Sequence, residues 1–186
     1  ICDKHNILLF FDEVQSGFGR SGKLYSYEWA KIKPDILATA KGIGSGFPLG
    51  ACLASKKASE AMTKGKHGST YGGNPLAVSV GREVLKIISD KVFLKKVDSL
   101  SRYLWINLKK LEAKYDEIIE IRGAGLLLGI KTRKNNIFIS NLLKKNKLLN
   151  VPAADNVIRL APPLVITKKH ADEALKIINE TFKKLL

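Results

Sequence analysis

The sequence predicts an α/β fold in which part of a large domain, with a parallel-type sheet, is followed by a smaller C-terminal α+β domain. Two observations support this. In the first third of the 186 residues, three short apolar runs are separated by glycine, proline and helix-forming segments, which is typical of a parallel sheet with buried strands. Near residue 90 the pattern changes to amphipathic helices and short strands, so we expect domains at 1–90 and 91–186.

The first part of the chain supplies the three predicted strands. Residues 7–11 form a continuous apolar run, which predicts a strand buried on both faces, and 36–40 and 51–54 predict two more. A helix is predicted from Pro75, because proline is favoured in the first turn and apolar residues follow at helical spacing as far as Ile87.

The second part of the chain is predicted to be a complete α+β unit. Its elements follow from helical spacing, from short apolar runs and from Thr167, which is a favoured residue at a helix N-terminus. In order, they are an amphipathic helix carrying Leu94 to Leu111, strands at 118–121 and 126–130, a helix over about 136–147, a strand at 157–160 and a final helix after Thr167.

Composition limits the possible function classes. The net charge of +15 comes mostly from lysine scattered along helix faces, with little arginine and no aromatic interleaving, so we expect no nucleic-acid partner. No apolar run is long enough to span a bilayer and no signal segment opens the chain, which predicts a cytoplasmic protein without a membrane partner. Cys2 and Cys52 lack disulfide or metal spacing and are expected to be free thiols. Because Ile1 leads almost directly into an apolar run, we expect sequence upstream.

A carboxylate and a lysine end the first two apolar runs. Asp12 closes the first run, where a buried carboxylate requires a partner such as a protonated pyridine nitrogen. Lys41 closes the second, and we expect it to be partly desolvated, which favours a nucleophilic amine. Glycines from Gly42 to Gly50 let the backbone pass close to a flat ligand. Taken singly, Asp12 could be a structural salt bridge and Lys41 a snorkelling surface lysine.

The segment 17–22 matches the G-x-G-x-x-G pattern of dinucleotide-binding turns. A Rossmann turn would lead straight into a helix and would be followed by an acidic residue about 20 positions later. Here Lys23-Leu24-Tyr25 follows and the downstream spacing fails. We therefore interpret this match as coincidental.

Two further segments carry binding chemistry. Ser69 and Thr70 precede the helix that begins at Pro75, and hydroxyls with backbone amides at such a position suit an anion. Arg159 lies on a predicted strand and offers a rigid bidentate fork for a carboxylate, although an internal salt bridge is the alternative. His67 is interpreted as structural.

These segments together resemble a known family. Residues 11–15 (Phe-Asp-Glu-Val-Gln), 40–50 around Lys41 and 67–75 stand in the order of three signatures of the class III aminotransferases, which use pyridoxal 5'-phosphate (PLP). Within that family the chain is most similar to acetylornithine aminotransferases. The resemblance runs over 1–186 but covers only the C-terminal half of a family member, and it implies the PLP-dependent transferase fold type I.

The resemblance implies a role for each site residue. Lys41 would be catalytic and would bond to the cofactor aldehyde, and Asp12, also catalytic, would pair with the ring nitrogen. Arg159 would bind the substrate carboxylate, and Glu13 is interpreted as structural. The remaining cofactor contacts would be Val14 on the ring face, Gln15 on the ring hydroxyl, and Ser69 and Thr70 near the phosphate, with Thr70 reaching it across a dimer interface.

The implied reaction transfers an amino group from N-acetylornithine, or a similar terminal amine, to 2-oxoglutarate in arginine biosynthesis. Ornithine and succinyl-diaminopimelate are alternative amino donors, because the sequence signals of these enzymes overlap. A non-catalytic truncated remnant of such an enzyme is an alternative of another class. The expected macromolecular partner is a second copy of the chain in a homodimer, or the missing N-terminal half.

Overall fold

The computed structural model describes residues 1–185, which divide into two compact units. The first unit runs from Ile1 to Leu94 and the second begins at Lys95. The assignment of these units to the large and small domains of a longer enzyme stays a prediction.

The first unit contains a three-stranded mixed sheet. It consists of β1 (Phe10–Asp12), β2 (Ile36–Thr39) and β3 (Ala51–Ala54), in the spatial order β1-β2-β3. β1 and β2 are parallel, in the register Asp12↔Ala38, as the apolar runs predict. β3 is antiparallel to β2, because the connection 40–50 is too short for the crossover that a parallel neighbour requires.

The prediction of a doubly buried strand over 7–11 is wrong. β1 begins only at Phe10, which is 53% exposed, and Ile7 before it is 55% exposed. Leu9 is held by its backbone instead: its N–H donates to Asp35 Oδ2 at 2.9 Å and its carbonyl accepts from the Asp35 N–H at 2.8 Å. β3 is exposed along its whole length. Strands are buried on both faces only where further layers cover the sheet, and residues 1–185 leave these surfaces open.

Four helices belong to the first unit: α1 (Cys2–His5), α2 (Tyr27–Ala30), α3 (Lys56–Ser59) and α4 (Pro75–Ile88). Only α4 is predicted by the sequence, and it begins at Pro75 as expected. Asn74 Oδ1 accepts from the Ala77 N–H at 2.9 Å and caps it. A Cβ added at Gly81 would lie 2.7 Å from Leu49 Cδ2, so this glycine lets α4 approach the loop that follows β2.

The second unit is an antiparallel sheet with three helices. Its sheet has the order β4-β5-β7-β6. The elements are α5 (Lys91–Lys114, whose first turn precedes the unit boundary), β4 (Ile118–Ala124), β5 (Leu127–Thr132), α6 (Asn136–Lys145), β6 (Val151–Ala153), β7 (Val157–Leu160) and α7 (Lys168–Lys183). Every element predicted here is present, and β6 is additional. No helix within 1–185 is both long and apolar enough to cross a membrane.

The hairpin between β6 and β7 depends on two residues with left-handed backbone. Asp155 and Asn156 have φ of 59° and 56°, a region that these two residue types tolerate. The Asn156 amide donates to the Lys134 carbonyl at 2.8 Å. Asp155 accepts from Arg122 and Lys131, each at 2.8 Å, so the turn is tied to β4 and β5.

Thr167 stands at the N-terminus of α7, as predicted. Its N–H donates to His170 Nδ1 at 3.0 Å, so the imidazole takes the place that a glutamate or glutamine has in a capping box. This gives a physical role to His170 in the basic segment 168–170, which opens the helix without an acidic residue.

Candidate functional site

Asp12 and Lys41 lie at one edge of the first unit's sheet. β1 ends at Asp12, and its parallel neighbour β2 ends at Thr39, two residues before Lys41. Since parallel strands have their carboxyl ends at the same edge, the register Asp12↔Ala38 places the carboxylate and the lysine on adjacent strand ends. This edge is where open α/β sheets usually bind ligands.

Lys41 has an unusual backbone and a defined partner. Its φ is 48°, in the left-handed region, where a residue other than glycine pays roughly 1–2 kcal/mol. It begins a short 3-10 turn, Lys41–Ile43, immediately after the extended residue Ala40. Its Nζ donates to Gln15 Oε1 at 2.9 Å. Strained backbone of this kind is concentrated at functional sites.

The sequence predicts partial burial of Lys41 and of Asp12, and for both residues this is wrong. Both side chains are exposed in the structure. Asp12 Oδ1 accepts from the Val14 N–H at 3.0 Å, whereas Oδ2 has no partner within 1–185. Burial of a strand end requires a layer above it, and none of the described residues supplies one. One carboxylate oxygen and the lysine amine are therefore open to a ligand.

Glu13 is buried on the opposite side of the strand from Asp12, as strand alternation requires. Its side chain is 2% exposed. Oε1 accepts from the Tyr27 N–H at 2.9 Å, and Oε2 accepts from the Ser16 hydroxyl at 2.6 Å. Its backbone N–H donates to the Ala38 carbonyl at 2.8 Å, which extends the pairing of β1 with β2. The structural interpretation of Glu13 agrees with these contacts.

The glycine-containing segment 17–22 packs beneath the lysine turn. Phe18 is 3% exposed with φ of 51°, and a Cβ added at Gly42 would lie 2.9 Å from Phe18 Cβ. Phe18 also makes an edge-to-face contact with Tyr25, at 5.8 Å between ring centroids, and burial raises the pKa of Tyr25. No helix follows Gly22 directly, because α2 begins only at Tyr27. The segment is therefore not a dinucleotide-binding turn, in agreement with the sequence interpretation.

The loop after Lys41 is a tight turn that depends on glycine. The Phe47 N–H donates to the Gly44 carbonyl at 2.9 Å. A Cβ added at Gly44 would lie 1.9 Å from the Phe47 carbonyl oxygen, and Gly46 has φ of 106°. The chain can therefore reverse direction immediately beside Lys41 without placing a bulky side chain at the strand edge.

Ser69 and Thr70 lie in an exposed loop between α3 and α4. The Ser69 hydroxyl accepts from the Gly72 N–H at 2.8 Å and so closes a turn. Among residues 1–185, neither hydroxyl is hydrogen-bonded to the groups around Lys41. Their contact with a cofactor phosphate stays a prediction.

Arg159 belongs to the second unit, where it is half-buried on β7 opposite Gly129 and Val151. Its guanidinium has no hydrogen-bond or ionic partner within the described part of the chain. The internal salt bridge considered as an alternative is thus not formed there. An unpaired, half-buried guanidinium is available to bind a carboxylate bidentately.

The profile of the Aminotransferase class-III family matches residues 1–182. The chain is 52% identical over 176 residues to the acetylornithine aminotransferase of Agrobacterium fabrum, covering 94% of this chain and 44% of that protein. It is 47% identical over 186 residues to the acetylornithine aminotransferase of Brucella melitensis, covering 100% of this chain and 46% of that protein. The chain thus spans about half the length of the curated relatives that it matches.

Solved structures show the same correspondence. Acetylornithine aminotransferase from Elizabethkingia anophelis superposes with a TM-score of 0.91 at 38% identity, over 98% of this chain and 47% of that one. Ornithine delta-aminotransferase from Plasmodium falciparum gives a TM-score of 0.92 at 37% identity, over 98% of this chain and 48% of that one. The predicted fold class is confirmed by these neighbours.

Proposed function

Because the chain belongs to the class III aminotransferases, we propose that it is the C-terminal half of a PLP-dependent enzyme that transfers an amino group from N-acetylornithine to 2-oxoglutarate. One observation carries the proposal: Lys41 Nζ bonds Gln15 Oε1 at 2.9 Å at the strand edge that also presents Asp12. The choice of amino donor is supported by the relatives named acetylornithine aminotransferase, at 47–52% identity. The similarity to the solved structure of an ornithine delta-aminotransferase supports ornithine as the alternative amino donor.

The residues at this edge fit PLP. The open Oδ2 of Asp12 suits a protonated pyridine nitrogen, and the exposed amine of Lys41 suits a covalent bond to the aldehyde carbon. Gln15 lies within reach of the same point, since it already bonds the amine. When bound, PLP supplies an electron sink for the negative charge that develops on the substrate carbon.

Each residue of the chain then has a defined task. The Asp12 carboxylate would hold the proton on the ring nitrogen, Gln15 would bond the ring hydroxyl and Val14 would pack on the ring face. The Lys41 amine would be the base that moves a proton on the substrate. Arg159 orients the substrate carboxylate through two parallel hydrogen bonds. The hydroxyls of Ser69 and Thr70 would bind the phosphate, with Thr70 acting across a dimer interface.

Trapping of PLP by borohydride reduction tests the proposal. The purified chain is mixed with PLP, reduced and digested, and the modified peptide is identified by mass spectrometry. We expect the label on Lys41, and we expect N-acetylornithine added before reduction to remove it. Lys41→Ala should abolish the label, whereas Lys33→Ala, which alters an exposed lysine just before β2, should leave it unchanged. A label spread over many lysines would contradict the proposal.

The second candidate function, a non-catalytic remnant, is favoured by the open surfaces of the first unit. Phe10 on β1, Leu53 on β3 and Leu76 on α4 are 49–63% exposed, although all are large and apolar. Exposed apolar surface of this kind marks a missing partner. If the chain alone takes no label, we would add the N-terminal half of a relative. Labelling of Lys41 only in that mixture would indicate an enzyme assembled from two halves, and none in either case would indicate a remnant.

The same open surfaces support the proposed partner, which is a second copy of the chain or an N-terminal half. The proposed location is the cytoplasm. Light scattering of the chain alone and with the added half would distinguish the two partners.

A further inference from the structure

We propose that Glu13 is a positioning residue, which holds Gln15 against Lys41 and thereby sets the reactivity of the lysine amine. The inference rests on the proposed function only in taking Lys41 as the reactive amine. It concerns the contacts that the chain itself makes at the end of β1, and it can be tested without cofactor.

Glu13 makes hydrogen bonds at both ends of the irregular segment 14–26, which is called the excursion below. The chain leaves the sheet after Glu13 and turns through the segment 14–26 before α2 begins at Tyr27. Glu13 Oε1 accepts from the Tyr27 N–H at 2.9 Å, so one carboxylate oxygen ties the far end of the excursion to its start. The Glu13 carbonyl accepts from the Gly17 N–H at 3.1 Å and fixes the first turn.

The other carboxylate oxygen fixes the position of Gln15. Oε2 accepts from the Ser16 hydroxyl at 2.6 Å, and Ser16 directly follows Gln15. Gln15 is thus held between Glu13 and Ser16, which are joined by a short hydrogen bond. Its own side chain is exposed, so the direction of the amide towards Lys41 Nζ depends on the backbone. The 2.9 Å contact with the amine therefore depends on the Glu13 carboxylate.

A second path leads from Glu13 to the backbone of Lys41. A Cβ added at Gly17 would lie 2.8 Å from the Glu13 carbonyl oxygen, so the turn is tightly closed. The next residue, Phe18, is buried against Gly42, which follows Lys41 in the chain. The excursion therefore meets the Lys41 amine through the Gln15 amide, and it meets Gly42, the residue after the lysine, through Phe18 Cβ.

A carboxylate is the group that suits this position. Its two oxygens accept from the Ser16 hydroxyl and the Tyr27 N–H simultaneously, and hydrogen bonds to an ionised acceptor are the stronger kind. A glutamine has nearly the same shape but only one accepting oxygen. Glu13→Gln therefore leaves the packing in place but weakens the bond to Ser16, whose hydroxyl must then accept from the glutamine NH2 and loses its ionised acceptor.

The test measures the reactivity of Lys41 in the absence of PLP. The full chain is treated with formaldehyde and a mild reductant, and methylation of Lys41 relative to Lys33 is followed by mass spectrometry. Gln15→Ala removes the acceptor and should raise this ratio about threefold to fivefold, which corresponds to the loss of one hydrogen bond. Glu13→Gln should raise the ratio by a smaller factor, because it weakens the bond to Ser16 without removing it, and Ser16→Ala, which removes that bond, should give the larger rise. In the double variant, Glu13→Gln should add nothing to Gln15→Ala, because both act through one contact.

Two controls exclude a merely structural effect. Glu28→Gln alters a carboxylate on α2 that also accepts a backbone N–H, from Tyr25 at 2.8 Å, but lies at the surface. It should leave the methylation ratio of Lys41 unchanged. If Glu13→Gln does not fold, Ser16→Ala removes the Oε2 bond alone and should still raise the ratio.

The outcomes separate this inference from the proposed function. An unchanged ratio in Glu13→Gln, or additive effects in the double variant, would overturn the positioning role whatever PLP does. If the ratio rises as expected but PLP does not label Lys41 in the unmodified chain, the positioning role stands and the proposed function fails.

Discussion

Gly44→Ala tests whether the turn beside Lys41 depends on the absence of a side chain. Gly44 is buried, and its φ of −96° is accessible to alanine, so backbone strain plays no part. The added Cβ would lie 1.9 Å from the Phe47 carbonyl oxygen, and ordinary contact begins at 3.4 Å. The carbonyl must therefore move. Since the Phe47 N–H donates to the Gly44 carbonyl at 2.9 Å, the hydrogen bond that closes the turn is disturbed as well.

The expected loss is about 2 kcal/mol in the free energy of unfolding of the first unit. Overpacking of a closed site costs roughly 1–3 kcal/mol. The weakened turn hydrogen bond adds about 1 kcal/mol. Against these, alanine restricts the unfolded chain, which returns about 0.4–1 kcal/mol. The turn also contains the hydrogen bond from the Gly44 N–H to the Lys41 carbonyl, at 3.1 Å, so PLP labelling of Lys41 should fall too.

Urea unfolding followed by Trp29 fluorescence, in a Trp105→Phe background, reports on the first unit. With a slope of about 2 kcal/mol/M, the midpoint should fall by about 1 M. Gly50→Ala is the matched control in the same loop, because its Cβ would meet its nearest neighbour at an ordinary 3.4 Å. It should unfold at or above the original midpoint. Equal midpoints for the two variants would refute the steric reasoning.

Three further predictions concern the second unit. Hydrogen bonds from Lys131 and Arg122 lower the pKa of Asp155 in the folded state. The ionised carboxylate therefore stabilises the folded state at any pH above the ordinary carboxyl pKa of 3.8, and this stabilisation is lost as the pH falls below that value and the group is protonated. Asp155→Asn should therefore lower Tm at pH 7, and a difference that persisted at pH 2 would contradict this. His170→Glu should raise the free energy of unfolding by about 0.5 kcal/mol, because a negative charge is favourable at the N-terminus of α7. Thermal melts at low salt would measure this, and an unchanged Tm would contradict the prediction. Arg159→Lys should weaken the binding of N-acetylornithine to the assembled enzyme about tenfold, because lysine lacks the bidentate fork of arginine, and it should leave PLP labelling of Lys41 intact. Equal affinity of the variant and the unmodified enzyme for N-acetylornithine would show that Arg159 does not bind the substrate.

Much of the fold follows from local pattern. β2, β3 and β7 coincide with apolar runs, and α4 begins at the proline that its sequence marks. The placement of Asp12 and Lys41 at one sheet edge also follows, because each ends a run and parallel strands share their carboxyl edge.

Burial was not predictable from the same pattern. The run 7–11 is as apolar as any buried strand, yet Ile7 and Phe10 are exposed, because burial depends on the layers that pack on a sheet and not on the run itself. β6 is missing from the predictions because three residues that include Pro152 show no alternation. The turn at Asp155-Asn156 was the available signal for that hairpin.

The role of Glu13 could be predicted only in part. Strand alternation places Glu13 opposite Asp12 and therefore inwards, and that signal is present in the sequence. Its partners are not, since the Tyr27 N–H lies fourteen residues along an irregular segment whose path only the structure defines.

The open edges of the first sheet have a practical consequence for handling the protein. β1 and β3 are the outer strands of the described sheet, and unpaired strand edges favour association between copies. The net charge of +15 opposes that association by repulsion between like-charged surfaces. Salt shortens the range of this repulsion from about 10 Å at 0.1 M to about 3 Å at 1 M. Low ionic strength is therefore the condition in which preparations of the chain alone should remain dispersed, and high-salt precipitation or hydrophobic chromatography is the step at which losses are to be expected.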